Sequence, residues 1–237
     1  MDIDELKRQV GVYAAERVQD GMVVGLGSGS TARFATLHIG ARLRAGTLRG
    51  IVGVPTSDGT ERLALEQGIP LTDLNAHPYI DLTIDGADEV DPSRNVIKGL
   101  GGFLLREKIV AYNTRHEIIV VDHRKLSPRL GIVSPVPVEV VRFGWQRTHA
   151  ALMRTGAEPT LRLREGLPYI TDEGNYILDC HYAEPFPLES LAQQLHAIPG
   201  VVEHGLFLGL VSEVIVATPQ GIAELDVHTG KLRLTSH

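Results

Sequence analysis

Cysteine is almost absent from this chain of 237 residues: Cys180 stands alone. No disulfide can therefore form within it, and no thiolate cluster can hold a metal. Long apolar runs are missing as well. No stretch reaches the ~18 to 20 residues that a bilayer-spanning helix needs, so no membrane role is expected. The net charge of -6 comes from scattered acids and bases. Without a basic stripe, the electrostatic footprint of nucleic-acid binding is missing too. Residues Met1 to Gln19 carry charges at Asp2, Asp4, Glu5, Lys7, Arg8, Glu16 and Arg17, where a signal peptide would keep an unbroken apolar core. An intracellular, cytoplasmic protein is the expectation.

What is present is ordinary globular usage, with 43% hydrophobic and 22% charged residues. The length suits one larger domain with a smaller companion. Between residues 4 and 19, Leu6, Val10, Tyr13, Ala14 and Val18 recur at helical spacing. Met22 to Leu26 then reads as a buried strand, followed by a glycine and hydroxyl loop and a helix over Ala32 to Leu43. The pattern repeats: strand at 50–54, helix at 56–67, strand at 80–84, helix at 102–114, strand at 117–121. Strands separated by helices imply a parallel, doubly covered, Rossmann-like α/β sheet, with ligands outside the carboxyl ends of its strands.

Pro128, Pro135 and Pro137 mark a boundary. Residues 138–205 follow as strand, helix, strand, strand, helix, with one long strand expected over 169–179. That order predicts a small antiparallel α+β domain of ferredoxin-like type. The expected division is 1–130 with 206–237 as the α/β domain, the late strands at 206–208, 213–217 and 221–225 returning to it, and 131–205 as the smaller one.

Four polar clusters fall at the predicted carboxyl edge. Gly25 to Thr31 follows a strand and precedes a helix, so its backbone N–H groups and hydroxyls suit a phosphate, or simply cap the helix. Pro55 to Thr60 is either a capped helix start or a second wall of the same cleft. Asp85-Gly86-Ala87-Asp88-Glu89-Val90-Asp91 could be a solvated turn, a divalent-metal loop, or carboxylates that serve sugar hydroxyls. Lys98 to Lys108 leads from a glycine turn into a helix carrying Glu107, which by local pattern alone is a solvated helix acid.

Taken in order, GSGST at 27–31, TSDGT at 56–60, DGADEVD at 85–91 and KGLGGFLLREK at 98–108 resemble the type A ribose-5-phosphate isomerase family. The likeness continues through Asp122-His123-Arg124-Lys125, Leu130-Gly131, Ile177 to His181 and Ile198 to Phe207, so it spans nearly the whole chain. The resemblance implies an aldose–ketose isomerase, without metal or organic cofactor, that interconverts ribose 5-phosphate and ribulose 5-phosphate through an enediolate. It implies Glu107 as the base, Lys98 facing the oxyanion, and Asp85 or Asp88 assisting ring opening. Substrate contacts are implied at Ser28, Gly29, Ser30, Thr31, Asp85, Gly86, Ala87, Asp88, Lys98, Gly99, Leu100, Gly101 and Lys125. It also implies a homodimer or homotetramer. Ser28 stands where many relatives have Thr, and Leu100 interrupts a run that is all glycine in some.

Two other classes share parts of this pattern. A sugar-phosphate-binding regulatory module would share this scaffold but carry a DNA-reading domain ahead of it, whereas only one helix precedes the first strand. A nucleotide-dependent dehydrogenase needs an acid at the end of the next strand, where Gly53-Val54-Pro55 stands.

Overall fold

The run Ile118 to Val121 has no polar break because both of its faces are covered. Ile118 and Val120 pack into one core with Val10, Ile39 and Val24. Ile119 and Val121 turn to the other face, against Ala111, Val214 and Phe207. The alternation follows from the two-residue period of a strand.

A computed structural model describes residues 3–235; Met1, Asp2, Ser236 and His237 lie outside the described residues. Helix α1 (Ile3–Ala15) leads to β1 (Val23–Leu26), α2 (Ala32–Arg44), β2 (Val52–Pro55), α3 (Asp58–Glu66) and β3 (Leu82–Asp85). A short hairpin of β4 (Glu89–Val90) and β5 (Val96–Ile97) precedes α4 (Leu104–Tyr112), β6 (Glu117–Asp122) and a 3-10 turn at His123–Lys125. The smaller sheet contributes β7 (Val136–Val140), α5 (Trp145–Met153), β8 (Glu158–Leu161), β9 (Leu163–Arg164), β10 (Leu167–Pro168), β11 (Tyr176–His181), α6 (Leu188–His196) and β12 (Val201–His204). The chain closes with β13 (Leu206–Phe207), β14 (Glu213–Thr218), β15 (Gly221–Asp226) and β16 (Lys231–Leu234).

The main sheet is seven-stranded in the order β16-β15-β14-β6-β3-β1-β2. Its pairings from β2 through β14 are parallel, and β15 and β16 add antiparallel strands at one edge. Helices α1 and α2 pack on one face and α4 on the other, so the α/β expectation holds. In the smaller sheet the order β12-β7-β11-β8 puts its fourth strand beside its first and its third beside its second, all antiparallel. That is the split βαβ arrangement of a ferredoxin-like fold.

Three details differ from the sequence reading. The strand expected over 169–179 is broken by a turn, because Thr171 Oγ1 accepts from Asn175 N–H and Gly174 sits at φ +79; β11 starts only at Tyr176. Residues 206–207 do not join the main sheet but pair with β5 in a three-stranded sheet with β4. The final strand β16 was not foreseen; all four of its residues are exposed, so it lacks the buried pattern that marks the others.

Candidate active site

Three buried ionisable side chains form the floor of a cleft at the carboxyl edge. Asp85 is the last residue of β3, Lys98 follows β5, and Glu107 lies in the first turn of α4. Lys98 Nζ is 3.0 Å from Asp85 Oδ2 and 3.3 Å from Glu107 Oε1. The same ammonium donates to the carbonyl of Gly86. Asp85 Oδ1 accepts from the N–H groups of Ser28 at 3.0 Å and Gly86 at 2.7 Å. Glycine at position 27 is required by this packing, since a Cβ there would come within 2.4 Å of Asp85 Cα. Glu107 Oε2 is buried and has no hydrogen-bond partner among the described residues.

Burial sets the electrostatics. Desolvation pushes the Glu107 carboxyl up to about 8, Lys98 pulls it back in part, and the negative charges of Asp85 and Asp88 push it further up. Desolvation also raises Asp85, against the opposing pull of Lys98 and of the two backbone donors. Burial works to discharge Lys98, but Asp85 and Glu107 outweigh it and hold the ammonium charged, above its ordinary value. A carboxyl poised near neutrality beside a fixed cation is suited to taking and returning protons.

Above this floor lies a cavity of about 210 Å³ lined by Ser28 to Thr31, Gly86 to Asp88, Lys98, Gly99, Gly101, Phe103, Glu107 and, from the 3-10 turn, Arg124 and Lys125. Of the residues expected from sequence, Ser28, Gly29, Ser30, Thr31, Gly86, Ala87, Asp88, Lys98, Gly99, Gly101, Glu107 and Lys125 are thus brought together. Asp85 sits beneath the others, 1% exposed. Leu100 does not line the cavity; its N–H donates to Asp88 Oδ2 at 2.9 Å and its side chain is exposed.

The second cluster serves the first. Ser57 caps α3 by accepting from Thr60 N–H. The hydroxyls of Thr56, Ser57 and Thr60 all meet Ser28 Oγ, at 2.8, 2.7 and 3.0 Å. Ser28 therefore fixes the loop through its side chain and presents backbone to the cavity. In the acidic cluster the four carboxylates separate. Asp91 closes the β4–β5 turn by accepting from Ser93 and Asn95 N–H. Glu89 is fully buried and accepts from the backbone N–H groups of Gly131, Ile132, Val133 and Ser134. Only Asp85 and Asp88 face the site, so the divalent-loop alternative loses two of its four ligands.

Sequence reasoning missed Lys7, Phe103 and Asp122, and passed over Arg124 as a contact. Lys7 comes from α1, remote in sequence from the four loops. Its one signal was a cation directly after Leu6, the first residue of the apolar stripe. Asp122 caps the 3-10 turn and pairs with Arg124 at 2.8 Å, which presents Arg124 and Lys125 to the cavity. The cavity thus has cations at its rim from Lys7, Arg124 and Lys125, next to the N-terminal loop of α2.

A parallel α/β sheet with a carboxyl raised toward neutrality, a buried ammonium and an anion-ready loop at its carboxyl edge defines an enzyme that moves protons on a small anionic substrate. The chain belongs to the ribose 5-phosphate isomerase A family. The family model of ribose 5-phosphate isomerase A (phosphoriboisomerase A) matches residues 52–221. Ribose-5-phosphate isomerase A of Roseiflexus castenholzii is 50% identical over 227 residues, covering 95% of this chain and 97% of that one. A solved D-ribose-5-phosphate isomerase in complex with phospho-erythronic acid is 38% identical with a TM-score of 0.92, covering 95% of this chain and 100% of the other. The ribose 5-phosphate isomerase of Plasmodium falciparum has the same TM-score, 0.92, at 38% identity, with 94% and 98% covered.

Proposed function

We propose that the chain interconverts D-ribose 5-phosphate and D-ribulose 5-phosphate through an enediolate, with Glu107 as the proton carrier. The observation that carries this assignment of roles is the unpartnered Oε2 of Glu107, beside a Lys98 ammonium held by Asp85. In the aldose-to-ketose direction, Glu107 Oε2 takes the proton from C2 of the open-chain sugar. The C2–H electron pair becomes the C1–C2 double bond, and negative charge gathers on the C1 oxygen. Lys98 faces that oxygen and stabilises it. Glu107 then returns the proton to C1, while a proton passes from the C2 hydroxyl to the C1 oxygen.

Asp88 lines the cavity and is the better placed of the two aspartates to move protons among sugar hydroxyls and to assist ring opening. Asp85, buried beneath, holds Lys98. The phosphate is assigned to the Gly29 to Thr31 backbone with Lys7 and Lys125, because free N–H groups at a helix start and flanking cations favour an anion. The assignment extends to the expected domains, 1–130 with 206–237 and 131–205; the smaller sheet has a core of its own around Val138, Leu152 and Leu178. It extends also to a cytoplasmic homodimer or homotetramer, an assembly favoured by the exposed Ile109 and Tyr112 on α4.

Incubation with ribose 5-phosphate in D₂O, without added cofactor, tests the activity by NMR. Ribulose 5-phosphate is expected, with part of its C1 position deuterated. Binding of the sugar phosphate with no ketose formed would sink the proposal.

A further inference from the structure

We infer that Arg162, reaching across from the smaller sheet, is a positioning residue that turns the Gly101 N–H into the cavity as a second donor to the enediolate. Arg162 directly follows β8, 61 residues from Gly101 in sequence and outside all four loops. Its Nε donates to Asp179 Oδ2 at 2.9 Å and its Nη2 to Asp179 Oδ1, a two-point pairing that fixes the plane of the guanidinium. The remaining nitrogen, Nη1, donates to the carbonyl oxygens of Gly99 at 2.6 Å and Leu100 at 3.1 Å.

Those two contacts determine where the neighbouring N–H groups point. No peptide bond here is cis, and in a trans peptide the C=O and N–H point to opposite sides. The peptide joining Gly99 and Leu100 obeys this: its carbonyl is on Arg162 and its N–H on Asp88, at 2.9 Å. The next peptide has its carbonyl on Arg162 as well, so the Gly101 N–H faces away from Arg162, on the side where Gly101 lines the cavity. That N–H meets no acceptor among the described residues. Gly99 sits at φ +109, a conformation other residues resist, so the turn needs an external hold to keep one orientation. A preorganised N–H in the cavity that Lys98 also lines adds to the stabilisation of a developing oxyanion.

This inference rests on the isomerase proposal, and its test separates the two. Arg162→Met and Arg162→Lys would be assayed for turnover, for melting temperature, and for the affinities of phospho-erythronic acid and inorganic phosphate. Phospho-erythronic acid carries a planar carboxylate where the enediolate oxygens would lie; inorganic phosphate reports only the anion subsite. For Arg162→Met, kcat is expected to fall about 100-fold, the scale of one misplaced oxyanion donor. Affinity for phospho-erythronic acid should fall in step while that for phosphate holds, and Arg162→Lys, a single-point donor, should recover only part of the loss. Unchanged kcat, or equal loss of both ligands, would overturn the inference. If Arg162→Met fails to fold, Asp179→Asn carries the test: reduced kcat with intact phosphate affinity supports the role, and wild-type kcat refutes it. Absence of ketose with the unaltered enzyme would instead remove the isomerase proposal itself.

Discussion

Glu107 and Lys98 meet at one oxygen only: the ammonium lies 3.3 Å from Oε1, and Oε2 is buried with no partner. A carboxyl held on one side and free on the other is oriented for transfer at the free oxygen. Glu107→Gln keeps the shape and removes the basic site. Its kcat is expected to fall roughly 100- to 10,000-fold, the usual contribution of a positioned general base. Sugar-phosphate affinity and the circular dichroism spectrum should be unchanged. Turnover near that of the unaltered enzyme would take Glu107 out of the mechanism.

The pH profile follows from the same carboxyl. Glu107 must be ionised to accept a proton, and its surroundings push it up to about 8, so kcat/KM should rise through a limb near that pH. A phosphate monoester ionises near pH 6, about two units lower, so the substrate does not mask this limb. Asp88 contributes to the upward push, and Asp88→Asn should move the limb to lower pH. A limb near 4, or one that Asp88→Asn leaves in place, would mean that Glu107 does not control the rate.

Lys98 is the one cation between two buried acids, Asp85 and Glu107. Lys98→Met is therefore expected to lose both activity and stability. Removing a charge aimed at the enediolate should lower kcat by roughly 100- to 1,000-fold. It also strands carboxyls that can avoid charge only by holding protons. That cost grows as pH rises, so thermal melting of the variant should fall further below wild type at pH 8 than at pH 5.5. A change confined to KM would make Lys98 an ordinary binding residue.

Much of this site was legible because its loops follow strands that declare themselves. Ile118 to Val121 is an unbroken apolar run, and such runs are covered on both faces wherever they fold; Leu82 to Ile84 is broken only by Thr83, a β-branched residue that suits a buried strand. Glu107 was not legible by itself: a helix acid next to Lys108 has the pattern of a solvated face, and only the family resemblance pointed elsewhere. Its environment comes from Lys98 and Asp85, whose approach depends on how the loops cross. Glu89 was opaque for the same reason, since its four N–H donors lie 42 to 45 residues further along. The β4–β5 hairpin escaped because two-residue strands inside an acidic stretch show no periodicity. Arg162 escaped because nothing local distinguishes it from Arg164, which stacks on Tyr169 instead.

Lys7 and Lys125 approach the cavity from α1 and from the turn after β6, and neither touches the Asp85–Lys98–Glu107 floor. A cation that binds the phosphate equally in substrate and transition state changes KM rather than kcat. Lys7→Ala and Lys125→Ala should each raise KM and weaken competitive inhibition by inorganic phosphate, with kcat close to wild type. The increase should shrink at higher salt, where screening already weakens the charge. If kcat falls while KM holds, these lysines act on the reacting end and the assigned direction of the substrate is reversed.

Glu117, the first residue of β6, is 1% exposed, and its Oε2 has no hydrogen-bond partner among the described residues. Desolvation raises its carboxyl well above the ordinary value, and the charges of Asp85 and Glu107 add to this against the pull of Lys98. The folded state therefore retains a proton that the unfolded chain releases above about pH 4.3. Where the folded state binds more protons, stability falls as pH rises. Glu117→Gln cannot ionise and escapes this dependence. Its melting temperature should exceed that of the unaltered protein by a margin that widens from pH 5 to pH 8, and the two curves should converge toward pH 4. A margin that stays constant across this range would show that Glu117 gains or loses no proton on folding.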